Sequence, residues 1–437
     1  MKTKILFIAI FLFATVTYSQ YNKKDSDFLN QNKSILVNKQ KLDSTINYQW
    51  NNNIQWVNLN KTEYLYDINE NLILEINLSW NNNWQNNTKM SYEYDNDNKL
   101  INKIIYLWNN TSWINDIKIS YFYNSLNDFQ TILTYSWHNN TWQDSLKEEY
   151  TYLNNLLSEK ILYSYQYNNW EFLSKYEYSY DNNNNLSLET YYYWDNTNWV
   201  NSTKKEYAYD VNNNLISVIY YDYIFSWAPG TKKEYIYDNY NNLITDITYN
   251  WITTWEYLWK NVYTYDTNGD QMQQIEYTWD TQASTWTPKQ KRDRLFDNNY
   301  TFNDLVLPFT SLADVSIFTH KIDNEIAYSW NDNSNNWINS YKTEYFYSQY
   351  TSDDINENQS NIILVYPNPT SDFIYIDLPD LIDSDVLFEI YDMMGHKVMS
   401  STINSDTSLD ISHLATGIYV YNLKTINARY NNKIVKN

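Results

Sequence analysis

The chain has 437 residues, with 52 acidic and 31 basic side chains, a formal charge of −21, no cysteine and only four glycines. That charge disfavours a phosphate backbone or an anionic leaflet as a partner, and the missing cysteine rules out disulfides and thiolate metal sites. Aromatics make up 19% of the residues, which sets the chain apart from disordered acidic proteins, where aromatics are few.

At the N-terminus, Lys2 and Lys4 precede an apolar run from Ile5 to Val16, followed by Thr17-Tyr18-Ser19-Gln20. A charged start, a short apolar stretch and a small residue read as a cleaved signal peptide over residues 1–19. A membrane anchor is the alternative, but the run is too short to cross a core of roughly 30 Å as a helix. No later segment is as apolar, so no transmembrane segment is expected after cleavage. Residues 20–45 form a lead-in.

From there the text repeats. Trp56, Trp84, Trp113, Trp142, Trp170, Trp199, Trp227 and Trp255 follow one another every 28 or 29 residues. Each is followed by a Lys (Lys61, Lys89, Lys118, Lys147, Lys175, Lys204, Lys232), then by Tyr-x-Tyr, usually with Asp next, as at Tyr207/Tyr209/Asp210. An Asn-rich turn leads to a Leu (Leu72, Leu100, Leu186, Leu215, Leu243), and a further large aromatic stands eight residues on, such as Trp80 or Trp194. Leu72, Leu74, Ile76, Leu78 and Trp80 alternate with Glu75, Asn77 and Ser79, the period of a strand with one buried face. Lys204, Glu206 and Ala208 point one way in the preceding strand, and Lys205, Tyr207 and Tyr209 the other. Each repeat is therefore a β-hairpin. Turns such as Asp181-Asn-Asn-Asn-Asn185 place Asn where positive φ is needed.

Tyr-x-Tyr-Asp, a tight turn and a Leu-led strand resemble the YD repeats of the RHS-like family, with Asn where that family usually has Gly, which survives here at Gly269. The resemblance covers residues 46–300 and implies a spiralling β-sheet shell, without a toxin after it. Residues 46–296 are read as the repeats. About eighteen strands would make a sheet of about 85 Å, and open sheets beyond about ten strands curl or split. The expected fold class is all-β: a long antiparallel β-hairpin repeat array, as a coiled or spiralling sheet whose aromatic face closes on itself, followed by a small Ig-like β-sandwich. Residues 297–348 read as an atypical capping repeat with one short helix, and residues 349–361 as a linker.

Residues 362–437 change in composition. Tyr366-Pro367-Asn368-Pro369 leads into the strand Phe373–Leu378; a hairpin turn follows at Asp392–Gly395, then Gly417-Ile418-Tyr419 and a basic final strand around Lys433. These four motifs, in this order, resemble the type A C-terminal sorting domain of the Bacteroidota type IX secretion system. The resemblance implies that Tyr366, Pro367, Asn368, Pro369, Asp392, Gly395, Gly417, Tyr419 and Lys433 carry a sorting signal. It also implies recognition by the translocon and a sorting protease, and a product that is secreted or held at the cell surface.

Catalytic and metal chemistry finds little support. The Asp-x-Asn-x-Asn turns suggest weak Ca²⁺ binding, but the Glu an EF-hand places at position twelve is replaced by Leu78 or Tyr221. Glu63, Glu149, Glu177, Glu206, Glu234 and Glu344 are candidates for a glycosidase pair. They recur two residues after a Lys, however, which reads as a solvent-side charge ladder. His138, His320, His396 and His413 are scattered. No catalytic residue, metal site or cofactor is expected. The leading expectation is a non-enzymatic exported protein for adhesion or extracellular binding, with cell-surface components or polysaccharide as possible partners and no nucleic acid. The alternative is a carbohydrate-binding or polysaccharide-degradation accessory protein, whose aromatics would stack on sugars rather than simply pack.

Overall fold

The structure, a computed structural model, describes residues 39–51, 54–308, 317–350, 364–366, 370, 372–378, 386–392, 396–404, 407–424 and 429–436. The expected signal peptide, most of the lead-in and nearly all of the linker lie outside them. So do Pro367, Asn368, Pro369 and Gly395.

Apart from a one-turn 3-10 helix at Phe302–Asp304, the described elements are strands. The first ten are β1 (Gln40–Asn51), β2 (Gln55–Tyr66), β3 (Leu72–Trp80), β4 (Trp84–Tyr94), β5 (Leu100–Trp108), β6 (Trp113–Tyr123), β7 (Phe129–His138), β8 (Thr141–Leu153), β9 (Leu156–Gln166) and β10 (Asn169–Tyr180). The array continues through β11 (Leu186–Trp194), β12 (Trp199–Tyr209), β13 (Leu215–Tyr223), β14 (Trp227–Tyr237), β15 (Leu243–Trp251), β16 (Trp255–Tyr265), β17 (Gln271–Asp280) and β18 (Thr285–Thr301). It ends with β19 (Leu305–Val306), β20 (His320–Asn331) and β21 (Asn336–Gln349). All 21 belong to one sheet. The C-terminal region adds β22 (Leu364–Tyr366), β23 (Phe373–Asp377), β24 (Val386–Tyr391), β25 (Lys397–Ile403), β26 (Thr407–Asp410), β27 (Gly417–Lys424) and β28 (Arg429–Lys436). These form a three-stranded sheet, β22-β23-β26, and a four-stranded sheet, β25-β24-β27-β28.

The chain divides into two compact units, one holding residues 122–132 and 145–342, the other residues 41–121, 133–144 and 343–437. In the second unit, β1 pairs with β2 and also with β21. Tyr48 donates to Glu344 (2.7 Å), Thr343 to Asn47 (2.6 Å) and Ser348 to Asp43 (3.0 Å), bonds that tie the first strand of the array to its last. β1 is thus paired on both sides and is not a free edge. An edge strand would expose a row of unpaired backbone groups, and pairing β1 on its second side removes that row.

Each repeat owes its hairpin to turn chemistry. Asp181 Oδ1 accepts from the backbone N–H of Asn183 and Asn185, and Oδ2 from the Asn185 side chain. Asn184 takes φ +64°. Among the described residues, every non-glycine residue with positive φ is asparagine except Glu70, Tyr167 and Ser284. Replacing Asn184 by Val, which avoids this region, should cost about 1–2 kcal/mol, whereas Asn184→Gly should hold or slightly raise stability. The midpoints of thermal unfolding of the two variants check this. Asparagines also join neighbouring turns: Asn71 donates to Asn98, Asn185 to Asn213 and Asn214 to Asn241.

The second tyrosine of each Tyr-x-Tyr reaches across the sheet. Tyr94 donates to the Leu72 carbonyl, Tyr209 to Leu186, Tyr237 to Leu215 and Tyr265 to Leu243, at 2.8–3.0 Å. In these four the acceptor is the leucine that opens the nine-residue strand of the preceding repeat, while Tyr152 uses the Phe129 carbonyl and Tyr180 that of Leu157. A register shift falls just before this tyrosine in each pair, as between Ala208 and Tyr209. A second shift lies near the other end, as between Tyr191 and Tyr192, where Tyr191 pairs with Thr203 but Tyr192 with Asn201.

The C-terminal sheets enclose an apolar cluster of Ile374, Ile376, Phe388, Ile390, Leu423 and Ile434, among others.

Candidate functional site

The second register shift decides the chemistry of the sheet's faces. Trp199 and Lys204 are an odd number of residues apart and would face opposite ways on a regular strand. The shift brings them onto one face. Trp194 and Trp199 then meet edge to face across the turn, ring centroids 5.0 Å apart, and Trp80/Trp84, Trp108/Trp113 and Trp251/Trp255 do the same at 4.9–5.0 Å.

Lysine and glutamate lie on this tryptophan face. Lys147 bonds Glu149 (2.7 Å) and Lys175 bonds Glu177 (2.6 Å), each within its own strand. Tyr163 and Tyr192 of the next strands donate to the other oxygens of those glutamates. The Lys147 ammonium lies 4.1 Å from the Tyr163 ring centroid and 5.5 Å from Trp170; Lys204 repeats this over Tyr221 and Trp227, and Lys232 over Tyr249 and Trp255. The expected Lys–Glu ladder is present with its glutamates 38–44% exposed, but its lysines are drawn in among aromatic rings. The ammonium groups are sandwiched by rings, where cation–π attraction replaces part of their hydration.

Burial alone would push the Glu149, Glu177, Glu206 and Glu234 carboxyls up, but the bonds from lysine and tyrosine outweigh it and hold each below the usual carboxylate range. Burial first, and then the glutamate partner, pushes the Tyr192 hydroxyl up to about 12. Successive glutamates sit two strands, or about 9.6 Å, apart. That is beyond the spacing of a retaining glycosidase pair and at the limit of an inverting one, and each is already bonded to lysine.

One tie was not legible beforehand. Buried Asp270 accepts from the Thr319 hydroxyl, and its Oδ1 lies 2.8 Å from His320 Nδ1. The hydroxyl bonds the carboxylate rather than the imidazole, so this is not a nucleophile–base pair. It fastens the start of β17 to the start of β20.

The expected sorting residues are dispersed. Tyr366, only 5% exposed, packs with Leu74, Ile76 and Leu78 of β3, and Trp113 Nε1 donates to its hydroxyl. Its cross-strand partner Tyr375 meets Trp108 edge to face at 5.3 Å. Asp392 closes the β24–β25 turn by accepting from the His396 N–H at 2.9 Å. Gly417 opens β27, Tyr419 is buried and donates to the Ala415 carbonyl, and Lys433 pairs with Val420. Beside them, Lys424 (2.9 Å) and Lys397 (3.0 Å) hold Glu389 and pull its carboxyl down to about 2.

Residues 364–437 match the family described as "Secretion system C-terminal sorting domain". The chain carries a type IX sorting domain. That domain directs export to the cell surface or the extracellular space and implies contact with the type IX secretion machinery. No helix among the described residues is long and apolar enough to cross a membrane. No curated protein matches the chain. Among solved structures, a DUF3836 family protein from Bacteroides vulgatus is 21% identical, with 20% of this chain and 91% of that chain covered and a TM-score of 0.19. A porin-like protein from Bacteroides uniformis is 6% identical over 70% of this chain and 98% of its own, with a TM-score of 0.26. Scores this low carry no structural argument.

Proposed function

We propose that the mature protein is a non-enzymatic extracellular binding protein, adhesive at the cell surface or released from it, and that its repeats belong with the YD repeats of the RHS-like family. The observation that carries this reading is the repeated tryptophan face. Glu149, Glu177, Glu206 and Glu234 are each spent on a lysine and a tyrosine, and the indole rings beside them stay partly exposed, an arrangement suited to contact rather than catalysis. Tyr366, Pro367, Asn368, Pro369, Asp392, Gly395, Gly417, Tyr419 and Lys433 act as the sorting signal read by the translocon and its protease. The two C-terminal sheets form an Ig-like sandwich, and residues 1–19 are removed as a signal peptide. The second reading, a carbohydrate-binding or polysaccharide-degradation accessory protein, is favoured by the half-buried tryptophan pairs repeated along one face, whose rings suit stacking on sugars.

Two measurements test this. A variant lacking residues 362–437 should remain cell-associated while the full chain is exported; equal export of both would overturn the sorting role. The exported protein should be retained on fixed cells or on insoluble polysaccharide from its habitat, and passage through every such matrix would overturn the binding role.

A further inference from the structure

Alternation along the first two strands of the sorting domain sends two tyrosines away from the domain's own core. Ile374 and Ile376 of β23 enter its apolar cluster, and Val365 of β22 packs against it. Tyr366 and Tyr375, cross-strand partners between these residues, therefore share the opposite face, their rings stacked 5.9 Å apart. That face rests on the repeats. Tyr366 packs with Leu74, Ile76 and Leu78 and accepts from Trp113, while Tyr375 meets Trp108.

The seat departs from the repeat pattern at one position. Tyr163, Tyr192, Tyr221 and Tyr249 stand six residues after Leu157, Leu186, Leu215 and Leu243, and each donates its phenol to the glutamate of a neighbouring strand. In β3 the residue six after Leu72 is Leu78. With Leu74 and Ile76 it makes an aliphatic row that is 1–8% exposed, and Tyr366 lies on that row. A phenol at position 78 would set a larger, polar side chain against the Tyr366 ring.

We propose that the sorting domain is latched on its own cargo: Tyr366 and Tyr375 dock in an aliphatic and indole seat on β3, β5 and β6, and docking withholds Tyr366 from the secretion machinery until the latch opens. The inference rests on the reading of Tyr366 as part of the sorting signal and adds the surface that hides it. Ile374, Phe388, Ile390 and Leu423 form a core within the domain, so undocking leaves that core in place. A site open in a fraction of molecules binds with its affinity reduced by that fraction. The latch therefore slows export without abolishing it.

The full chain tests this. It has no cysteine. Gln85 on β4 and Asp372 just before β23 line one cavity, so Gln85→Cys with Asp372→Cys gives a single pair for a short bismaleimide. That pair should cross-link within one molecule, and its failure to do so overturns the seat. Leu78→Tyr, which installs the residue that four other repeats carry, should slow the cross-linking at least fivefold. In the cysteine-free chain it should shorten the half-time of export at least twofold, followed by pulse–chase in cells with a working type IX system. Trp113→Phe keeps a ring but removes the donor to Tyr366; it should move both readouts the same way by less, and it decides the matter if Leu78→Tyr does not fold. Cross-linking unchanged in both variants overturns the seat, and slower cross-linking without faster export overturns the withholding of Tyr366. If the chain lacking residues 362–437 is exported as fast as the full chain, the sorting reading itself fails. If that chain stays cell-associated while Leu78→Tyr is exported at the wild-type rate, the latch alone fails.

Discussion

Raising the pH above 10 should unfold the array in one steep step. The Tyr-x-Tyr rows are the reason. Burial, with Glu75 adding to it, pushes the Tyr64 hydroxyl up to about 12, and burial and neighbouring ring hydroxyls and carboxylates raise Tyr66, Tyr92, Tyr207, Tyr235 and Tyr263 as well. Below pH 10 these phenols keep their protons in both the folded and the unfolded chain, and their contribution to stability is fully present. Above pH 10 the unfolded chain loses protons that the fold retains, so stability falls as pH rises through the folded-state values. For Tyr64 alone, a rise from about 10 to about 12 corresponds to about 2.7 kcal/mol lost once the pH is well above 12. Several such phenols in one sheet are expected to outweigh the typical net stability of a folded domain, roughly 5–15 kcal/mol. Absorbance at 295 nm and far-ultraviolet circular dichroism should therefore change together, with a midpoint above 10. A smooth titration near pH 10 with the strand signal intact would contradict this.

The same tyrosines show what the sequence discloses. Period-2 alternation from Leu72 to Trp80 is a local property, and the burial of Leu72, Leu74, Ile76 and Leu78 follows it. Asn at positive φ and Asp at the strand end are equally local, since each turn satisfies its own amides. Three features depend on neighbours that no local pattern names. A register shift adds one residue to one strand, so the odd spacing of Trp199 and Lys204 hides that they share a face. The Tyr209 hydroxyl finds its acceptor 23 residues back, in the previous repeat. The bond from Tyr48 to Glu344 joins residues 296 positions apart. The Lys–Glu pairs were legible as pairs, but not the partial burial of their lysines, because only the shifted register sets an indole near Lys147, Lys175, Lys204 and Lys232. The sorting motifs were legible as text, yet the docking of Tyr366 on β3 was not, since it depends on Leu74, Ile76 and Leu78 nearly 300 residues earlier.

Burial should also separate chemically identical pairs. Lys61 is 2% exposed, stands between Ile46 and Leu78 on the flanking strands, and bonds Glu63 at 2.6 Å. Lys204 bonds Glu206 in the same way, but there the glutamate side chain is 42% exposed. Lys61→Met removes the ammonium bonded to Glu63, whose side chain is only 13% exposed, so water replaces the lost charge poorly; the expected cost is about 3–5 kcal/mol. Lys204→Met leaves a carboxylate that water can reach, and the expected cost is about 1 kcal/mol or less. The double change Lys61→Met with Glu63→Leu should recover most of the loss, because an apolar pair of similar volume suits the Ile46 and Leu78 neighbours. Urea unfolding midpoints of the four proteins measure the difference. Equal costs at Lys61 and Lys204 would mean that water reaches both sites alike. A double variant no better than Lys61→Met would mean that the packing of the lysine stem, rather than the lost charge pairing, is what the fold loses.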